Sequence, residues 1–90
     1  MSPSFQRPSP EVLSAEILRQ TAACPPGRSI APSEVAQALA PEEHWRSLLG
    51  AVREAAVALQ REGRLEVLRK GKPVPPEEVR GVIRLRAPAA

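Results

Sequence analysis

Ninety residues with 42% apolar content fit one domain, with a core near the lower size limit for unaided folding. The net charge of +3 is unevenly spread: residues 1–43 hold three arginines against five glutamates, a net of −2, and residues 44–90 hold ten lysines and arginines against five glutamates, a net of +5. The single cysteine, Cys24, excludes an intrachain disulfide, Cys24 with the single histidine excludes a Cys/His four-ligand zinc site, and no run approaches the roughly 18 apolar residues of a membrane span.

Residues 1–8 are rich in Ser and Pro, lack the apolar centre of a signal peptide, and predict a disordered tail. Ser9 then stands as an N-cap, with Pro10 at the first helical position and Glu11 in the first turn. Leu13, Ile17, Leu18 and Thr21 form the inward stripe of this helix. The run Cys24-Pro25-Pro26-Gly27-Arg28 ends it, because two prolines cannot continue a helix. Ile30 is the one large apolar residue of a short extended piece, which is expected to pair with the wing of the fold. Pro32 opens a second helix, PSEVAQAL, with Val35 and Leu39 inward. Ala31 occupies the place where a capping box wants Ser or Thr opposite Glu34, so that cap is half missing, at about 1 kcal/mol.

Ala40-Pro41-Glu42-Glu43 turns the chain into a third helix beginning at Trp45. Leu48, Val52, Ala55 and Leu59 fall on one side of it at about 100° per residue, and Arg46, Gly50, Arg53 and Val57 on the other. Gly63 ends it, glycine being the residue that takes the left-handed backbone freely. Two helices joined by a short turn, the second longer and more basic, describe a helix-turn-helix. After Gly63, Leu65 and Val67 face one side of a strand while Arg64, Glu66 and Arg69 face the other. Lys70-Gly71-Lys72 begins a wing, and the loop from Val74 to Gly81 is longer than a tight hairpin needs. The return strand VIRLR sets Ile83 and Leu85 inward and Arg84 and Arg86 outward, as the charged face of an edge. Residues 88–90 are expected to fray. The fold class is α+β: a winged helix over residues 9–87, with three helices and a two- or three-stranded antiparallel wing. Ile17, Leu39, Leu48, Val52, Leu59, Val67, Ile83 and Leu85 should share its core.

The span from Val12 to Arg86 resembles a small bacterial domain family of unknown function with a winged-helix-like fold. PSEVAQAL, Trp45-Arg46, VREAAVALQREGRLEV, the KGKPV turn and RGVIRLR carry the resemblance. What it implies is the fold; the family brings no activity, ligand or catalytic residue.

The candidate nucleic-acid-binding residues are Arg46, Gly50 and Arg53 on the third helix, and Arg69, Lys70 and Lys72 at the wing. Arginine and lysine on such surfaces meet phosphates or guanine edges. Glycine inside a helix costs about 1 kcal/mol against alanine, so Gly50 invites either a close backbone approach or tight packing as its reason. Glu77 and Glu78 on the wing loop act against DNA binding wherever they face it. Trp45 reads as core, and His44 as structural or exposed. The sequence has no nucleophile–base constellation, no glycine-rich phosphate loop after a strand and no second metal ligand beside His44. No enzyme activity, cofactor or metal is therefore expected. The leading expectation is a DNA-binding module in a reduced, cytoplasmic, bacterial setting. The alternative is a winged helix that binds a protein partner and no nucleic acid. No heptad seam sets an oligomeric state, and no membrane association is expected.

Overall fold

The computed structural model describes residues 6–88. Residues 1–5 of the tail predicted over 1–8, and 89–90 of the frayed end predicted over 88–90, lie outside the described residues. Three α-helices come first: α1, Pro10–Ala23; α2, Pro32–Leu39; and α3, Leu49–Arg61. Three short strands follow: β1, Glu66–Arg69; β2, Lys72–Pro73; and β3, Arg84–Arg86. They form one antiparallel sheet in the order β2-β1-β3. On the far side of β3, Ile30 pairs with Leu85 in a single antiparallel bridge. This α+β arrangement has the layout of a winged helix.

Each boundary has a local cause. The Ser9 hydroxyl accepts from the Val12 amide at 3.3 Å and starts α1. The second start is the half-cap expected: the Ala31 N–H donates to Glu34 Oε2 at 2.7 Å, and alanine offers nothing in return. At the end of α3, Gly63 has φ +76°, its N–H donates to the Gln60 carbonyl, and the Arg64 N–H reaches back to the Leu59 carbonyl. These two bonds together are a Schellman motif, which satisfies carbonyls the helix cannot.

The opening of the third helix differs from the sequence expectation. Trp45–Leu48 is a 3-10 helix, and the α-helix begins only at Leu49. A 3-10 turn advances about 120° per residue, so over three residues Arg46 swings about 60° from its α-helical position. The Ser47 hydroxyl, which donates to the His44 carbonyl at 2.7 Å, supports this tight entry.

The core lies between the helices and the inner face of the sheet. Ile17, Val35, Leu48, Val52, Val67 and Leu85 are its largest fully buried side chains. Of the predicted core, Leu39 alone is half-buried and packs on the edge. Thr21 is buried on α1 without penalty, because its hydroxyl donates to the Ile17 carbonyl at 2.9 Å. Leu68 is also buried, although it lies on the outer face of β1. It occupies the central strand, paired with Pro73 on one side and Arg84 on the other.

Candidate nucleic-acid interface

The exposed surface that leads into α3 begins with Arg46, in the 3-10 turn before it. Its guanidinium stacks over the Trp45 ring, 4.5 Å from the centroid. The Trp45 ring is half-buried against the core, and its Nε1 has no hydrogen-bond partner among the described residues. One turn on, Gly50 is exposed, and a Cβ built there meets nothing within 4 Å. Tight packing is thus not the reason for this glycine. Val57, expected on the open face, is half-buried.

Arg53 is exposed but engaged. Its guanidinium donates to the Gly81 carbonyl at 2.6 Å. Seven residues further along α3, the Gln60 amide donates to the Val74 carbonyl at 2.5 Å. Val74 beside Gln60 and Gly81 beside Arg53 mean that segment 74–81 runs back along α3, antiparallel to it. A short 3-10 turn within it, Pro76–Glu78, also packs on α3. Val74 and Val79 tuck against the core, while Glu77 and Glu78 are exposed. The long wing loop is therefore a strap laid over one flank of the helix, rather than a free excursion.

The other candidates sit at the tip of the β1–β2 hairpin. Arg69 pairs with Lys72 across a two-residue turn made by Lys70 and Gly71. Both turn residues have positive φ, +53° and +81°, the signature of a type I′ turn. Lys70 and Lys72 are exposed and Arg69 is half-buried. The structure thus groups the six candidates into two clusters, Arg46-Gly50-Arg53 on the helix and Arg69-Lys70-Lys72 on the hairpin, with the strap leading from one to the other.

Charge pairing sorts the remaining basic residues. Arg86 forms a half-buried pair with Glu66 across β3 and β1, at 2.6 Å. Arg84 donates to the Ser29 hydroxyl at 2.7 Å and to the Ser29 carbonyl at 2.6 Å. The outward arginines of the return strand thus tie the sheet together. Arg46, Arg69, Lys70, Lys72 and Arg80 make no ion pair among the described residues. Arg80 was not singled out in the sequence, where it is one more charge in an acidic loop. Only the fold back of the strap brings it beside Arg53. Val82, next to it, is 87% exposed, the most exposed large apolar residue described.

The fold and this surface define an α+β domain of winged-helix layout, with cations on helix and hairpin, and acids at Glu54, Glu77 and Glu78, that are unpaired among the described residues. The chain belongs to the family described as protein of unknown function (DUF3253), whose model matches residues 10–88 and so spans the whole folded unit. No curated protein matches it. No helix among the described residues is long and apolar enough to cross a membrane.

Proposed function

We propose that this domain binds nucleic acid, with duplex DNA as its ligand, through α3 and the wing. The observation that carries the reading is the unpaired cationic set: Arg46, Lys70, Lys72 and Arg80 are exposed and lack carboxylate partners among the described residues. Cations held at the rim of a small rigid domain release counterions from a polyanion, and that term supplies most non-specific affinity. Base reading is expected to be weak, since the open part of α3 offers Gly50 in place of Asn or Gln. In this reading the protein acts by binding and catalyses nothing. A bacterial cytoplasmic setting goes with it, supported by the free thiol of Cys24 and by composition.

A salt titration with random duplex tests it. Four phosphate contacts give a slope of log K against log salt of about −3.6. Absence of binding to duplex and to single strands at low salt and tens of micromolar protein refutes the proposal. That result would favour the second reading, a protein partner, for which the exposed Val82 and the acidic pair Glu77–Glu78 are the supporting features.

A further inference from the structure

The wing loop carries a contact element of its own. Gly81 has φ +70°, in the left-handed region, and turns the chain sharply at Arg80-Gly81-Val82. The turn stands between two anchors, Val79, half-buried against the core, and Ile83, fully buried. Between these anchors Arg53 is the side chain that holds the turn, through the Gly81 carbonyl. Its neighbours on either side point to solvent: Arg80 is exposed without an ion pair, and Val82 is 87% exposed. The closest acids on the strap are Glu77 and Glu78, one residue or more beyond Val79, and on α3 Glu54 adjoins Arg53.

From this geometry we infer that Arg53 is a positioning residue, which latches the Arg80-Gly81-Val82 turn against α3 so that Arg80 meets a DNA phosphate. The inference rests on the nucleic-acid reading above and reassigns one of its residues. An arginine whose guanidinium is committed to a backbone carbonyl is poorly placed to swing into a groove. Arg80 is free to do so, but only while its turn is held. Val82 then lies on the apolar edge of the deoxyribose next to that phosphate. The exposed acids at 77, 78 and 54 repel phosphate, so the duplex should approach the turn from the side away from them.

The test is a double-mutant cycle in duplex binding, with backbone order parameters at the turn as a second readout. Arg80→Ala removes one contact and flattens the salt slope by about 0.9. Arg53→Met releases the turn and flattens it by a similar amount. If Arg53 acts through Arg80, the double variant loses no more than either single one. If Arg53 contacts phosphate itself, the losses add to about 1.8. Backbone order parameters at Gly81 and Val82 should fall in Arg53→Met and stay unchanged in Arg80→Ala. Additive slopes, or unchanged order parameters at Gly81 and Val82 in Arg53→Met, overturn the inference while leaving DNA binding intact. A wild-type protein with no affinity for duplex overturns both.

Discussion

Replacing Gly50 by alanine should make this protein more stable. Gly50 is the second residue of α3, but the 3-10 turn Trp45–Leu48 leads into it, so it lies within one continuous helical run. Its backbone is outside the left-handed region, and a methyl group there meets open space. Alanine therefore fits without strain and narrows the unfolded ensemble, an effect of about 0.4–1 kcal/mol. For a domain of this size, about 1 kcal/mol moves Tm by roughly 4–8 °C, so a rise of about 2–8 °C is expected. Thermal melts and urea titrations of the variant should show a higher midpoint with an unchanged urea slope. A lowered midpoint would mean that something presses on Gly50 in solution, and would refute the open-surface description. The same variant interrogates the interface. If the duplex backbone approaches α3 at Gly50, the more stable protein binds it more weakly; equal binding removes Gly50 from the contact surface.

Three further outcomes follow from the geometry. Val52→Asp places an unpaired carboxylate at a fully buried site and should abolish the folded state, so a cooperative near-wild-type melt by circular dichroism would defeat the core assignment. Lys70→Asn suits the left-handed position of the type I′ turn and should gain up to about 1 kcal/mol in a urea titration, while flattening the salt slope of duplex binding by about 0.9. The Arg19 guanidinium bonded to Glu16 holds that carboxyl below its usual pKa, aided by the Gln20 amide and opposed by burial. A depressed folded pKa means stability that is present above the unfolded value of about 4.3 and is lost as pH falls through the folded one. Glu16→Gln should thus be less stable than wild type near neutrality, with the gap closing in acid; a gap that persists at low pH would contradict the linkage.

The parts of the fold legible in the sequence are those set by local chemistry. Pro32 at a helix start and Gly63 past a helix end act through their own backbone, and the structure has α2 over the predicted residues and a Schellman turn at Gly63. Alternation over VIRLR likewise separates Ile83 and Leu85 from Arg84 and Arg86, because side-chain direction in a strand has a period of two. The 3-10 entry at Trp45 was not legible, since apolar spacing over one turn hardly differs between the two helix types. The strap was not legible either. Its course is fixed by Arg53 with Gly81 and Gln60 with Val74, pairs 28 and 14 residues apart, and no pattern along the chain connects them. For the same reason the charges of Arg84 and Arg86 could be counted but not assigned: Ser29 and Glu66, which engage them, lie on other segments. The candidate site was therefore readable as a set of cations on a helix and a hairpin. Which cations remain uncommitted, and the presence of Arg80 among them, came only with the tertiary structure.

Pro73, in the outer strand β2, has a consequence for how the molecule meets others. The Val74 N–H points inward to the Val67 carbonyl, so the alternating geometry of a strand turns the backbone nitrogen of residue 73 outward. In proline that nitrogen carries no hydrogen, and the exposed rim of the sheet lacks the donor that a visiting strand would need there. β2 is only two residues long, and the chain leaves it through Pro75 and Pro76. The opposite rim, at β3, is already occupied by Ile30. Neither side offers a template for adding strands, so the domain resists edge-to-edge stacking into fibres, and a partner must recognise it through side chains rather than by extending its sheet.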